Sequence, residues 1–278
     1  MRTFFKTVVF ISFILIFTVL TQVGGLILLL SWPIVSRVKR KFPQLRYKII
    51  YNVLIFSVLY TFASILIIPP LAATFGRVPL PMWSNQHLQP RNIWTCILNR
   101  HYVRPNLKIA MEKVSRQVNQ AFPGTITHYL DAGFPFWDKF PMLPHLGHKD
   151  GKKLDLAFYY LDKSTQKPSN QHPSLSGYGV FEEPLPSEWN QPKICAQQGY
   201  TWYGFSKNLN GWNYKNYYLF DNERTRALIN YLTNEPSIAL MYLEPHLKIR
   251  LGMANNAKIA YHGCFSVRHD DHLHIQIW

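Results

Sequence analysis

The chain closes on His269-Asp270-Asp271-His272-Leu273-His274-Ile275-Gln276-Ile277-Trp278, and from His272 onward this stretch reads as a β-strand. Side chains at i and i+2 of a strand project from one face, so His272 and His274 point the same way. One imidazole is then placed to bind a metal and the other to handle a proton. Upstream, His145-Leu146-Gly147-His148-Lys149-Asp150-Gly151-Lys152-Lys153-Leu154-Asp155 supplies a partner cluster, with Gly151 allowing a tight backbone turn inside it. Between them the clusters offer two nitrogens and a carboxylate oxygen, the three-ligand set that leaves a fourth zinc position open for water.

Outward from these clusters, segment 125–130 alternates like a strand, and 154–161 reads as a second strand that carries Asp155 into the core. Segments 238–243 and 272–278 add two more. In 106–121 the apolar positions Leu107, Ile109, Ala110, Val114 and Val118 recur at helical spacing, and Pro123-Gly124 ends that helix. A helix over 222–232 is marked by Asp221 as its cap, and a short one is expected over 245–252. The polar segment 164–178 reads as a surface loop. Segment 191–218 reads as an aromatic loop holding Trp202, Tyr203, Phe205, Trp212 and Tyr214. Helices mixed with a few non-repeating strands predict an α+β fold, with helices packed on a small antiparallel sheet.

The N-terminal part is of another kind. Between Lys6 and Arg37 there is no charged residue, and a second uncharged window runs from Ile49 to Gly76. Each exceeds the ~20 apolar residues that cross a hydrocarbon core, which predicts two transmembrane helices, at about 7–31 and 49–70. The first window is longer than a signal-peptide core, and no small-residue cleavage site follows it. The loop 36–48 holds Arg37, Lys39, Arg40, Lys41, Arg46 and Lys48, against Arg2 and Lys6 before the first window. Positive residues stay cytoplasmic, so two spans would put both the N-terminus and the C-terminal part on the far side, which in a bacterium faces the wall. Pro69, Pro70, Pro79 and Pro81 read as a connector that breaks helix. The division expected is 1–76 as membrane anchor, 77–121 as juxtamembrane connector and helix, and 122–278 as the domain carrying both clusters.

The net charge is +15, but the first 76 residues hold eight basic and no acidic residues, which leaves 22 basic against 15 acidic beyond them. That excess favours anionic partners. No basic tract or basic helix of the kind that reads nucleic acid is present, so no nucleic-acid partner is expected. Three cysteines, Cys96, Cys195 and Cys264, lack C-x-x-C spacing and make no zinc knuckle. Cys195 and Cys264 pair in one reading; in the other, all three are separate thiols.

The spacing His148-x-x-Gly151-x-x-x-Asp155 followed by His272-x-His274 resembles the zinc peptidases of lysostaphin, D-Ala-D-Ala carboxypeptidase and Hedgehog type. Within them, His145-x-x-His148 and His269-Asp270-Asp271-His272 are similar to the penicillin-insensitive murein endopeptidases. The resemblance is densest over 145–158 and 262–277. It implies one Zn2+ held by His148, Asp155 and His274, with His272 beside the metal's water and His145 and His269 as further site histidines. It also implies peptidoglycan cross-bridges or stem peptides as substrate, cut by a murein endopeptidase or DD-carboxypeptidase at the periplasmic face of the inner membrane. Gly147 and Lys153 depart from the family pattern, which puts substrate preference in question.

In that chemistry zinc makes water a nucleophile near neutral pH. Histidine exchanges protons in the same range, which suits His272 as general base and then acid. His269 could donate to the developing oxyanion, and the Asp270-Asp271 pair could orient the imidazoles. His246 and His262 read as surface or hydrogen-bonded residues, and Glu182-Glu183 as a solvated loop. The competing functional reading is a catalytically silent zinc module that binds wall peptide or a protein partner; the free imidazoles of His272 and His269 favour the enzyme.

Overall fold

A computed structural model describes residues 2–42, 48–143, 145–209 and 213–278. Arg46 of the basic loop and Trp212 of the aromatic stretch lie outside the described residues. Six short strands form the sheet that carries both clusters: β1 Leu88–Pro90, β2 Thr127–Tyr129, β3 Lys153–Ala157, β4 Ile238–Tyr242, β5 Ile259–Ala260 and β6 His272–Ile277. Their order across the sheet is β5-β4-β6-β3-β2-β1.

The fold is α+β as expected, but the sheet is mixed rather than antiparallel. Its centre, β4-β6-β3-β2, is antiparallel, while β5 pairs parallel to β4 and β1 parallel to β2. Parallel neighbours need a crossover connection, and each edge pair has one. The helix Pro105–Ala121 lies between β1 and β2 in the chain, and Pro245–Arg250 lies between β4 and β5.

Period-two alternation divides the central strands. Leu273, Ile275 and Ile277 of β6 join Leu154 and Leu156 of β3 in one buried core. That core is closed by Leu107, Met111, Val114 and Val118 of Pro105–Ala121 and by Leu228, Ile229 and Leu232 of Asn222–Asn234. Burying each such side chain contributes roughly 1.5–3 kcal/mol, so this face is fixed by its hydrophobic residues. Ile109, counted above with the apolar stripe, is instead 64% exposed. The cap of Asn222–Asn234 is as expected, with the Arg224 amide donating to Asp221 Oδ1 at 3.0 Å.

Segment 154–161 is not one strand. After Ala157 the chain leaves the central sheet, and Tyr160–Asp162 pairs with Pro168–Ser169 and Tyr218–Phe220 in a second, antiparallel sheet. Parts of both expected loops are therefore ordered. The aromatic segment also contains the helix Gln191–Gln197, whose Asn190 cap accepts from the Lys193 amide at 2.9 Å. The open question about the cysteines resolves to a Cys195–Cys264 disulfide with a buried, free Cys96.

The N-terminal segments differ more from expectation. The window 7–31 is broken: α1 Arg2–Thr21 and α2 Gly24–Lys41 meet at Gln22, which takes a positive φ of 66°. The two helices fold back on each other, bringing the Phe10 and Trp32 rings to 4.7 Å. Gly25 permits this approach, because a Cβ there would meet Thr18 Oγ1 and the Ile14 carbonyl. As a result Arg2 and Lys6 lie at the same end of the hairpin as Arg37, Lys39, Arg40 and Lys41. The N-terminus and the basic cluster thus share one side, not opposite sides, while the C-terminal part still begins at the other end.

Pro69 and Pro70 do not form a connector either. α3 Lys48–Phe62 passes through a π-turn, Ala63–Ile67, into α4 Ile68–Thr74, and the prolines occupy its first turn. The π-turn directly before the prolines interrupts the regular hydrogen-bond ladder where their missing N–H groups fall, so the helix continues past them. Two helical stretches, Phe4–Thr21 and Ile49–Thr74, are long and apolar enough to cross a membrane.

Candidate metal centre

Three elements deliver the site. In the β3–β6 ladder His274 pairs with Asp155 and His272 with Ala157, so the face opposite the apolar core presents Asp155, His272 and His274 together. The turn before β3 brings in His148. Gly151 makes that turn with φ +71°, and a Cβ there would press on the Arg77 guanidinium at 3.3 Å, which is why glycine occupies the position.

His148 Nδ1 donates to the Ala132 carbonyl at 2.8 Å, which leaves Nε2 with its lone pair directed into the site. From Nε2 it is 3.2 Å to Asp155 Oδ1 and 3.2 Å to His274 Nδ1, and His274 Nδ1 stands 2.8 Å from Asp155 Oδ1. Donor atoms bound tetrahedrally at ~2.1 Å would sit about 3.4 Å apart, so this triangle needs only slight expansion around a cation. All three side chains are buried, and together they could hold one metal ion. Tyr178 donates to the other Asp155 oxygen at 2.8 Å. With one imidazole held by a carbonyl and the carboxylate held by a phenol, the donors have the outer partners that orient metal ligands.

His272 Nδ1 donates to Asp271 Oδ1, and its Nε2 faces Asp155 Oδ1 at 3.7 Å. Burial works against its charged form, but the carboxylates of Asp155 and Asp271 push His272 up to about 9. Burial pushes His274 down to about 4. It would also raise Asp155, yet His148 and His272 hold that carboxyl well below its usual range. Asp155 is thus held as the anion and His274 as the neutral ring, as binding of a divalent cation requires.

The remaining candidates are gathered around this triangle. His145 donates from Nδ1 to Asp131 Oδ2 at 2.7 Å, and its ring centre is 6.5 Å from that of His272. His269 is buried with its ring centre 5.0 Å from His272 and 5.7 Å from His274. Burial, with His272 and His274 beside it, holds His269 well below its usual pKa. The two aspartates divide: Asp271 orients His272, whereas Asp270 turns away to Arg268, whose Nε donates to it at 2.9 Å. Asp270 therefore does not serve the site imidazoles. His246 is a hydrogen-bonded core residue, donating to the Glu182 carbonyl at 2.7 Å. His262 is exposed and stacks on Tyr242 at 4.0 Å. Glu182 is buried against Lys215, not solvated, and with Glu183 it lines a cavity of about 620 Å³.

Sequence reasoning missed Tyr178, Asp131 and Tyr242. Tyr178 ended a segment read as surface loop; its flanking glycines, Gly177 and Gly179, both at positive φ, were the only local sign of a tight turn into the site. Asp131 lies two residues beyond the end of β2. Tyr242 is the register partner of His274 on its other side, a contact made between segments far apart in the chain. No protein family matches the chain, and no curated protein matches its sequence.

Proposed function

We propose that the chain is a membrane-anchored zinc peptidase that hydrolyses amide bonds in peptidoglycan cross-bridges or stem peptides, in the manner of the murein endopeptidases its motifs resemble. The observation that carries the reading is the convergence of His148 Nε2, Asp155 Oδ1 and His274 Nδ1, with the His272 ring beside them and not among them. A purely structural zinc site is closed by four protein ligands, whereas three leave a position for chemistry. When bound, zinc supplies Lewis acidity and a nucleophilic water near neutral pH.

The chain's own residues do the rest. Asp271 fixes the His272 tautomer and leaves Nε2 facing the site. A cation on Asp155 would offset the carboxylate charge that keeps this ring protonated, and Nε2 would then take a proton from the attacking water and return it to the leaving amine. His145, tethered to Asp131, is more exposed than His148, His272 or His274 and would be the first of these to meet an entering peptide. His269, kept neutral by burial, contributes a ring N–H to the developing oxyanion. The apolar helices Phe4–Thr21 and Ile49–Thr74 support anchoring. The basic cluster lies at the end away from the domain, and the Cys195–Cys264 disulfide suits an oxidising compartment outside the cytoplasm.

The test is incubation of the full-length protein, in detergent, with purified peptidoglycan. Zinc-dependent, chelator-sensitive release of muropeptides that disappears in His148→Ala and His274→Ala supports the reading. Undiminished release by either variant sinks it. Wall-peptide binding by zinc-loaded protein without turnover would establish the silent module instead.

A further inference from the structure

Away from the metal centre, a cavity of about 420 Å³ opens where the N-terminal helices meet the domain. One wall is helical, with Phe17, Leu20, Phe56 and Ile65, and the other comes from the domain, with Met82, Trp83, Ile93 and Ile97. Its rim is apolar and open: Leu20, Ile65, Trp83 and Ile97 are all exposed. Its floor is polar. The Tyr60 hydroxyl donates to the Ile97 carbonyl at 2.6 Å and accepts from Asn99 Nδ2 at 2.8 Å.

Two atoms on that floor have no hydrogen-bond partner among the described residues, Asn99 Oδ1 and His101 Nδ1, although both side chains are almost fully buried. Both are acceptors. Asn99 uses its amide N–H on Tyr60, and the His101 ring already bonds the Thr95 backbone carbonyl. Burial pushes His101 down to about 3, so the ring stays neutral. An unsatisfied buried acceptor costs roughly 1–3 kcal/mol, and unpartnered atoms in an apolar chamber call for a donor from elsewhere. One water occupies about 30 Å³, far less than this volume. Among the described residues no Lys, Arg, Asp or Glu lines the cavity, so these walls offer nothing to a phosphate or an ammonium group.

We propose that this cavity holds the hydroxyl-bearing end of one uncharged bilayer lipid, with Asn99 and His101 accepting its hydrogen bonds and the apolar walls covering the start of its chain. The proposal rests on the membrane-anchored reading, since the mouth between Leu20, Ile65 and Trp83 faces lipid only if those helices span. The bound lipid would act as packing between helices and domain, at a junction otherwise closed by the Phe136 amide donating to Gln22 Oε1 at 2.8 Å and by the cluster of Val23, Ile68, Ala72 and Tyr102.

The probe is a monoacylglycerol with a photoactivatable group in its chain, added to phosphatidylcholine vesicles that carry the full-length protein. Cross-linked peptides should concentrate on the segments containing Met82-Trp83 and Ile93 to Asn99. The methyl ester of the same chain, which cannot donate, should label about tenfold less, the ratio that ~1.4 kcal/mol or one hydrogen bond represents. Asn99→Leu should reduce that preference. Ser57→Trp, which fills the cavity from a helix surface and leaves the floor network intact, should abolish labelling there. Even labelling along the outer helix positions Leu15 and Ile16, equal labelling by both probes, or insensitivity to Ser57→Trp overturns the proposal. Vesicle flotation reads anchoring separately: protein that fails to float, yet labels at these peptides in micelles, overturns the anchor and keeps the pocket.

Discussion

His274 lies directly opposite Asp155 in the antiparallel ladder, with its Nδ1 2.8 Å from Asp155 Oδ1. Two candidate metal donors therefore come from adjacent central strands whose opposite faces, Leu273 and Ile275 on one and Leu154 and Leu156 on the other, are locked in the core. Sites built on such rigid elements hold their geometry better than sites on loops. Only His148 depends on a turn, and that turn is pinned by Gly151 and by the Ala132 carbonyl.

Removing any one donor should empty the site without unfolding the domain. His148→Ala, Asp155→Ala and His274→Ala each take away a group that lies off the apolar face, so circular dichroism should be unchanged. Metal affinity should fall by more than the roughly 10–100-fold that loss of an outer partner brings. Metal analysis after dialysis against weak chelator checks this; a variant that retains one ion per chain would remove that residue from the ligand set.

Tyr178→Phe tests the outer layer. The hydroxyl donates to Asp155 Oδ2 at 2.8 Å and accepts the Asp131 amide at 3.1 Å, so it ties the strand ligand to the segment that holds His145. Its loss should weaken metal binding by about 10–100-fold while the protein remains folded. Competition with a calibrated zinc chelator measures the ratio, and an unchanged affinity would make Tyr178 a packing residue.

The residues that could hold a metal were legible because their signals are local. His272 and His274 sit two apart on a strand, and His148, Gly151 and Asp155 fall within one turn and the strand that follows. Tyr178, Asp131 and Tyr242 reach the site only through tertiary contact, and nothing in the polar composition of 164–178 distinguished a turn into the site from a surface loop. The hairpin at Gln22 was hidden for a related reason: hydropathy averages over a window, whereas a reversal needs one residue at positive φ and a glycine where the helices touch. Strand direction at the sheet edges was equally invisible, since it depends on the crossover and not on the strand.

Gly151→Ala should show how much the turn matters to the centre. Left-handed backbone costs a non-glycine residue about 1–2 kcal/mol, and the added methyl would displace the Arg77 guanidinium that packs 3.3 Å away. Denaturant unfolding should register that loss of stability, accompanied by weaker metal binding through His148. Full stability with full occupancy would show that the turn can relax to another conformation.

In metal-free protein, two buried histidines away from the metal centre should contribute to acid sensitivity, alongside His101, His269 and His274, which burial also holds below their usual values. Burial, with Arg250 nearby, holds His246 down at about 4, and burial, with Arg91 nearby, holds His172 well below its usual value. His172 must be neutral for another reason, since its Nδ1 accepts the Ser174 amide at 3.2 Å. A histidine whose folded pKa is depressed binds protons more readily when unfolded. Stability is thus full above the unfolded value near 6.5 and declines as pH falls toward the folded value. For His246 alone the loss reaches on the order of 3 kcal/mol by pH 4. Denaturant midpoints of metal-free protein at pH 7, 5.5 and 4.5 should fall in that order, and His246→Gln, which retains an N–H for the Glu182 carbonyl, should flatten the trend. A profile equally steep in the variant would assign the acid sensitivity to other groups.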